Sequence, residues 1–392
     1  MKILYITPIS PYESYSGGGV RSRLLYDALK AIGEVHVSIV QAWGEREKSP
    51  LESEDKNIRR VAPLNYEPTV WWRGLLEGTL FLMTGCDLRQ YPNKEALLNQ
   101  LGWSGESFDV VVARFAWMAT NVGAWRIAPL YIDIDDLPSE DFKTVIRPKM
   151  SVARGIVRSM IVRLWERIAF RRAAGMWVVN SQHLGYVKRF GRCEHLPNIV
   201  RPVPANFDSG VGKKSRLLTV GSLDYIANTE GVDWFLTNVW SGVLRRWPQM
   251  EFAIVGKGLP DELKEKWEKI PGVVLLGFVP DIHLVYAEAM AVVAPVFIGG
   301  GTAIKVIEAI AHGQRVFATP FAARGLSAAQ KERAHLIEFE TADRFVEALE
   351  AVLCENEDVK RSCREDALRL ASEDFSLQFF QSQVKKLIVS GV

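Results

Sequence analysis

The segment GGGTAIKVIEA, Gly299 to Ala309, gathers more chemistry than any other stretch of the chain. AVVAPV before it reads as a strand, and FIGGG reads as a loop whose missing side chains let backbone come close to a ligand. Thr302 is placed to cap a helix running TAIKVIEAIAH and ending at Gly313. Gly300 and Gly301 lead into that turn. The first-turn amides of Thr302, Ala303 and Ile304 are then expected as donors at the positive end of the helix dipole, which suits a pyrophosphate. Lys305 follows one turn in and Glu308 a further turn along the same side. A lysine there can meet phosphate while a carboxylate accepts from two neighbouring sugar hydroxyls, so together they fit a nucleoside diphosphate. The bland alternative is a surface loop followed by a solvated i, i+3 pair worth roughly 0.2–0.5 kcal/mol.

A second cluster is LYIDIDDLPSE, in which Asp133, Asp135 and Asp136 crowd at a strand end. Mutual repulsion would raise at least one of their pKa values unless a cation or hydroxyl donors intervene. Near the N-terminus, Gly17-Gly18-Gly19 follows the first apolar run, with Arg21 and Arg23 as nearby cations. The alternative there is a turn that merely needs positive φ. PKMSVARGIVRSMIVRLWERIAFRR, Pro148 to Arg172, interleaves seven Lys or Arg with apolar residues and has one acid, Glu166. With Val70-Trp71-Trp72-Arg73 it could rest on an anionic membrane; otherwise it packs on a sheet with its arginines in solvent. Other patterns carry less. Gly256 to Gly258 is G-x-G without the third glycine of a dinucleotide site. His183, His195, His283 and His312 lack metal-ligand spacing and read as isolated surface or capping residues. Ser181 and Ser222 stand in no hydrolase arrangement.

Parallel strands position these clusters. Apolar runs of strand length recur at Ile3 to Ile6, Val35 to Val40, Val110 to Ala113, Leu130 to Ile134 and Trp177 to Val179. After the glycines, Leu24, Leu25, Ala28, Leu29 and Ile32 share one helical face that stops at Gly33, a βαβ opening. A second series comprises Leu217 to Val220, Glu251 to Val255, Val273 to Leu276, Ala291 to Val296 and Arg315 to Ala318. Between the series, RPVPANFDSGVGKKSR is rich in Pro, Gly and charge and reads as a linker. The expected plan is an N-terminal domain over 1–200, a linker over 201–216, a C-terminal domain over 217–375, and a helix over 376–392 packing back on the first domain. In sheets of this kind ligands bind beyond the carboxyl ends of the strands.

Size agrees with two domains: the chain has 392 residues, 48% of them hydrophobic, enough for two cores of roughly 200 residues each. A net charge of +2 gives no argument for nucleic acid as a partner. No export signal is apparent, no apolar stretch reaches the length of about 18 residues that a spanning helix needs, and the four cysteines are scattered. Reduced thiols and a cytoplasmic location are expected.

In its second half the chain resembles the group 1 glycosyltransferases, glycosyltransferase family 4 of the GT-B fold. The resemblance is carried by VGSLDYIANTEGVDWF (Val220 to Phe235), FAIVGKG (Phe252 to Gly258), VLLGFVPDI (Val274 to Ile282) and APVFIGGGTAIKVIEAIAHGQRVFATPFAARGL (Ala294 to Leu326). It implies an α/β fold of two Rossmann-like doubly wound domains facing across a cleft, and a retaining, metal-independent transfer of sugar from a nucleotide-sugar donor to an acceptor hydroxyl. It further implies that Glu308 binds the donor ribose, that the helix start at Thr302 to Ile304 holds the diphosphate, and that backbone near Phe278 and Val279 reads the base. Ser222, Asn228 and Gly256 complete the donor-side set. By the same resemblance Gly18 and Gly19 face the donor phosphates, Asp135 takes the place of a common histidine on the acceptor side, and Asp136 is the acid after it. Arg21 is expected beside them.

The chain departs from the family pattern at three places. Gly300 stands where a glutamate often precedes the ribose-binding one, and Ser222 and Asn228 replace a usual arginine and lysine. A subset of the family looks the same, with GS-D-Y-x-x-N and GGGTxxKxxE, so Lys305 is the expected substitute cation. No metal and no cofactor are expected, the donor being UDP- or GDP-linked. The acceptor is expected to be a carbohydrate, lipid-linked or small molecule, in polysaccharide or glycoconjugate synthesis, with a membrane inner face as a further candidate partner. Competing readings are a nucleotide-sugar epimerase of the same fold and a sugar-nucleotide-binding protein without transferase activity.

Overall fold

The apolar runs are strands because both of their faces are covered. In a computed structural model the described residues are 1–13, 17–40, 55–61, 93–135, 137–141, 152–200, 203–204, 207, 215–299 and 302–390. They form two units, Met1–Pro197 with Phe380–Val392, and Asn198–Phe379. Most of the segment read as a linker lies outside the described residues, and Arg216 opens a strand.

The first unit holds β1 (Lys2–Thr7), β2 (Glu34–Val40), β3 (Ile58–Val61), β4 (Val110–Arg114), β5 (Leu130–Ile134), β6 (Ala173–Val178) and β7 (Cys193–His195). Their order in the sheet is β3-β2-β1-β4-β5-β6-β7. Ile3 stands beside Val35 on one side and Val110 on the other, in parallel register. Leu4, Ile6, Val111 and Ile132 are fully buried, each contributing roughly 1.5–3 kcal/mol of hydrophobic stabilisation. The Leu377–Val389 helix buries Phe380, Val384, Leu387 and Ile388, one apolar stripe at helical spacing. From Phe380 onward that helix groups with the first unit, where Tyr131 donates to the Ile388 carbonyl at 3.4 Å.

The second unit repeats the plan with β8 (Arg216–Val220), β9 (Glu251–Val255), β10 (Val273–Gly277), β11 (Ala291–Ala294), β12 (Arg315–Ala318) and β13 (Ile337–Glu338), in the order β10-β9-β8-β11-β12-β13. Its core is aromatic on one side: Phe235 lies 4.9 Å from Phe252 and 5.0 Å from Phe345, which in turn meets Phe317 at 5.0 Å. Both sheets are α/β and Rossmann-like. In each, the chain runs outward from a central strand and then returns to that strand's other side. The direction reverses between β1 and β4 and between β8 and β11, and such reversals open a crevice for ligand.

The sequence-based strands are all present, and the structure adds β3, β7 and β13. These three are sheet edges, with the sequences IRRV, CEH and IE. An edge strand buries less and needs no long apolar run. Among the described residues no helix is long and apolar enough to cross a membrane.

Candidate functional site

In the second unit, the turns after β8 and β9 come together through glycine. The Gly221 amide donates to Val255 O and the Gly256 amide to Gly277 O, both at 2.9 Å. A Cβ on Gly256 would collide with the Gly221 carbonyl, so only glycine permits this approach. Ser222 follows, its hydroxyl donating to Asp224 Oδ1 at 2.6 Å and its carbonyl accepting from Asn228 Nδ2 at 2.8 Å. The other end of that amide, Oδ1, accepts from Lys305 Nζ at 2.8 Å. Ammonium can only donate, which sets the orientation of Asn228. Ser222, Asn228 and Lys305 thus form one hydrogen-bonded series at the switch point between β8 and β11.

Lys305 is 8% exposed, and burial pulls its pKa down to about 8, with Glu308 acting in the opposite direction. One turn on, Glu308 is half-buried and accepts a hydrogen bond from the Tyr286 hydroxyl at 3.3 Å. Tyr286 is fully buried, which together with the Glu308 charge raises its pKa well above 10 and keeps it a donor. A buried cation and a half-open carboxylate on one helix face can take a phosphate and a diol.

The start of that helix differs from the sequence expectation. It runs Ile304–Ala311, the N-cap is Ala303, and no side chain caps it. Thr302 lies one residue too early; its hydroxyl accepts from Asn198 Nδ2 at 2.9 Å, and its methyl fills the space that a side chain at Gly325 would need. The first-turn amides are therefore those of Ile304, Lys305 and Val306 rather than of Thr302 to Ile304. Val306 already donates to Ala303 O at 2.9 Å. Gly299 has φ +115, open to glycine alone, while Gly300 and Gly301 lie outside the described residues. Arg324, which sequence reasoning missed, donates to Gly299 O at 3.1 Å and lies 3.6 Å over the Phe321 ring. Phe278 is 67% exposed and Val279 half-buried at the end of the edge strand β10, two strands away from β8.

The histidines also differ. His283 and His312 are not isolated: His283 Nδ1 and His312 Nε2 are 2.8 Å apart. His312 is 2% exposed, and burial pushes its pKa down to about 4, opposed by the Glu308 carbonyl and reinforced by His283. His183 meets Glu140 at 2.9 Å and His195 meets the Val179 carbonyl at 3.0 Å. Among the described residues no three His, Cys, Asp or Glu side chains gather as a metal site.

In the first unit the carboxylates are met by two arginines. Asp133 is fully buried and takes both Nε of Arg21, at 2.9 Å, and its Nη2. Arg21 is 2% exposed and also donates to the Leu196 and Pro197 carbonyls. Burial works against its charge, but Asp133 outweighs burial and raises its pKa. Arg21 is therefore an internal partner of Asp133, within the carboxylate cluster beside which it is expected. Arg114, at the end of β4, was not foreseen; it donates to Gly18 O, to Ser22 Oγ at 2.6 Å and to Asp135 Oδ2 at 2.6 Å. The only signal for it is a charge closing the apolar run VVVAR. Asp135 keeps 16% of its side chain exposed, and Asp136 lies outside the described residues. Phe115, next to Arg114, has φ 69, a strained conformation for a bulky residue.

The three glycines also take a different form. Gly17–Lys30 is all helix, so Gly17 to Gly19 make its first turn rather than a loop. Gly19 is required by closeness and not by φ, since a side chain there would collide with the Glu13 carbonyl. The Val152–Arg172 helix packs against Ala116–Val122 and buries Ala169 and Phe170. Its sole acid, Glu166, is buried and accepts from the Ser139 amide at 2.6 Å, burial raising its pKa. Val152, Ile156, Met160, Ile161 and Leu164 are exposed beside Arg163 and Arg167. Trp71 and Trp72 lie outside the described residues.

Residues 214–355 match the family model described as glycosyl transferases, group 1. No curated protein sequence matches the chain. Among solved structures, the chain is similar to sucrose-phosphate synthase from Thermosynechococcus elongatus, with a TM-score of 0.64, 14% identity, and coverage of 100% of this chain and 99% of that one. It is likewise similar to HepE from Anabaena in complex with UDP, with TM-score 0.64, 14% identity and full coverage of both chains. WaaG, a glycosyltransferase involved in lipopolysaccharide biosynthesis, gives 0.61 at 15% identity, over 98% of this chain and 99% of that one. These likenesses show the fold, which is that of GT-B glycosyltransferases.

Proposed function

From a group 1 glycosyltransferase segment carried on a GT-B fold, we propose that this chain transfers a sugar, with retention and without metal, from a nucleotide-sugar donor to an acceptor hydroxyl. The observation that carries the proposal is the series Ser222–Asn228–Lys305 with Glu308 one turn beyond it, at the switch point of the second sheet. Lys305 and the uncapped helix start receive the diphosphate, Glu308 receives the ribose hydroxyls, and Phe278 and Val279 border the base. Lys305 is the cation that Ser222 and Asn228 no longer supply, and Asn228 holds it in place.

In the transfer, the acceptor oxygen forms a bond to the anomeric carbon as the bond from that carbon to the phosphate oxygen breaks. The acceptor proton passes to the departing phosphate, and Lys305 stabilises the charge left there. Asp135, aimed by Arg114, orients a hydroxyl on the acceptor side. The donor is UDP- or GDP-linked; HepE, similar in fold, is described in complex with UDP-glucose. The acceptor is carbohydrate, lipid-linked or a small molecule, and the exposed basic and apolar face of Val152–Arg172 brings the chain to an anionic membrane surface.

A thermal-shift screen of nucleoside diphosphates and their sugars tests the donor reading. One nucleotide series is expected to raise Tm by several degrees, since a ligand at 100 times its Kd stabilises the fold by about 2.7 kcal/mol. No shift with any nucleotide sugar would overturn the reading. Binding without turnover would favour an inactive sugar-nucleotide-binding protein, and donor turnover that needs no acceptor would favour an epimerase.

A further inference from the structure

Glu308 is gripped from two directions by side chains that the donor reading leaves unused. Tyr286, fully buried on the Ile282–Glu288 helix, donates its hydroxyl to Glu308 Oε2 at 3.3 Å. The Tyr286 carbonyl is itself held by Gln314 Nε2 at 2.7 Å. His312 caps the C-terminus of the helix that bears Glu308, and its ring lies on that of Tyr286, 4.1 Å between centroids and 14° from parallel. His312 Nδ1 is 2.7 Å from the Glu308 carbonyl. A carbonyl can only accept, so Nδ1 carries the proton and Nε2 accepts from His283. Phe207 meets the His312 ring edge-on at 4.9 Å. His312 thus grips the backbone of Glu308, and Tyr286, clamped by His312 and Gln314, grips its carboxylate.

A glutamate has three side-chain torsions, and one that must settle into a single rotamer when ligand arrives loses entropy at that moment. We infer that Tyr286 is a positioning residue for ribose recognition: its hydroxyl holds the Glu308 carboxylate in the orientation that accepts the ribose diol, and His312 holds the Tyr286 ring. This rests on the reading of Glu308 as the ribose acceptor. A hydroxyl present only to satisfy a buried tyrosine would not discriminate between sugars. A positioning hydroxyl acts on the ribose alone.

The test is isothermal titration of the wild type, Glu308→Gln, Tyr286→Phe and the double variant, using UDP and GDP and their 2′-deoxy counterparts. The wild type is expected to prefer its ribonucleotide by about tenfold, and Glu308→Gln to abolish that preference. Tyr286→Phe, which keeps the ring and its stack, is expected to weaken ribonucleotide binding about fivefold while leaving the 2′-deoxy compound within about twofold. The double variant should bind no more weakly than Glu308→Gln alone. Equal weakening of both nucleotides by Tyr286→Phe, or no change in either, overturns the inference while sparing Glu308. An undiminished ribose preference in Glu308→Gln overturns the Glu308 reading and the inference with it.

Discussion

Lys305 donates to a neutral amide, and its charge is buried, so the free protein holds a cation that lacks a close counter-charge from Asn228. Its pKa of about 8 lies below the ordinary lysine value of 10.5 because burial penalises the charged form. The unfolded chain keeps this proton up to a higher pH than the folded one does, so the Lys305 penalty is present below about pH 8 and is relieved as pH rises toward 10.5. An arriving diphosphate supplies the counter-charge and raises the pKa again. Nucleoside diphosphate binding at a pH of about 8 is therefore expected to take up roughly half a proton, falling toward zero below a pH of about 6.5. Calorimetry in two buffers of different ionisation enthalpy reads this, and Lys305→Gln should abolish it; equal heats in both buffers for the wild type would remove Lys305 from the site. At this scale the sequence is informative only at short range. Lys305 and Glu308 can be paired from spacing, because they share a helix. Arg114 with Asp135, Tyr286 with Glu308 and Asn198 with Thr302 are brought together by the fold across 21, 22 and 104 positions, and no spacing announces them.

Among the elements, the interior strands are legible because burial on both faces demands continuous apolar runs, as in Val110–Arg114 and Ala291–Ala294. Edges such as Cys193–His195 escape that demand and so leave no pattern. Helix starts are less legible, because Thr302 has the right side chain for a cap but is engaged by Asn198, and Ala303 takes the cap position. Glycine is ambiguous in the same way: Gly19 reads as a turn residue and serves as a point of close approach. The Val152–Arg172 helix carries a prediction of its own. With Glu166 turned inward, the exposed charges among its described side chains are Arg163, Arg167, Arg171 and Arg172, on a helix that also exposes Val152, Ile156, Met160 and Leu164. The chain is expected to co-sediment with vesicles containing anionic lipid and not with purely zwitterionic ones, and to be released by added salt. Arg163→Glu combined with Arg167→Glu should reduce the bound fraction at least about threefold, at roughly 1 kcal/mol for each basic residue near the surface. Equal binding to both kinds of vesicle would rule out this role for the helix.

For the whole molecule, the two sheets repeat one order of strands, so each unit offers a crevice at the carboxyl ends of its strands, at β1 and β4 or at β8 and β11. The family model reaches only residues 214–355, within the second unit, where the glycine turns, Lys305 and Glu308 lie. The first unit is legible as architecture, and Asp133, Asp135 and Arg21 stand out in its sequence, but Arg114 and the pairing of the two arginines with these carboxylates do not, since the partners lie far apart along the chain. Retention is the claim on which the proposed chemistry rests. Proton NMR of the sugar product, formed from the nucleotide sugar that gives the largest thermal shift and with EDTA present, tests it most directly. The product is expected to keep the anomeric configuration of the donor and to form at an undiminished rate in EDTA, and at least about tenfold more slowly with Lys305→Ala, a loss of about 1.4 kcal/mol of transition-state stabilisation. An inverted product, or turnover that stops in EDTA and returns with magnesium, would contradict the proposed chemistry.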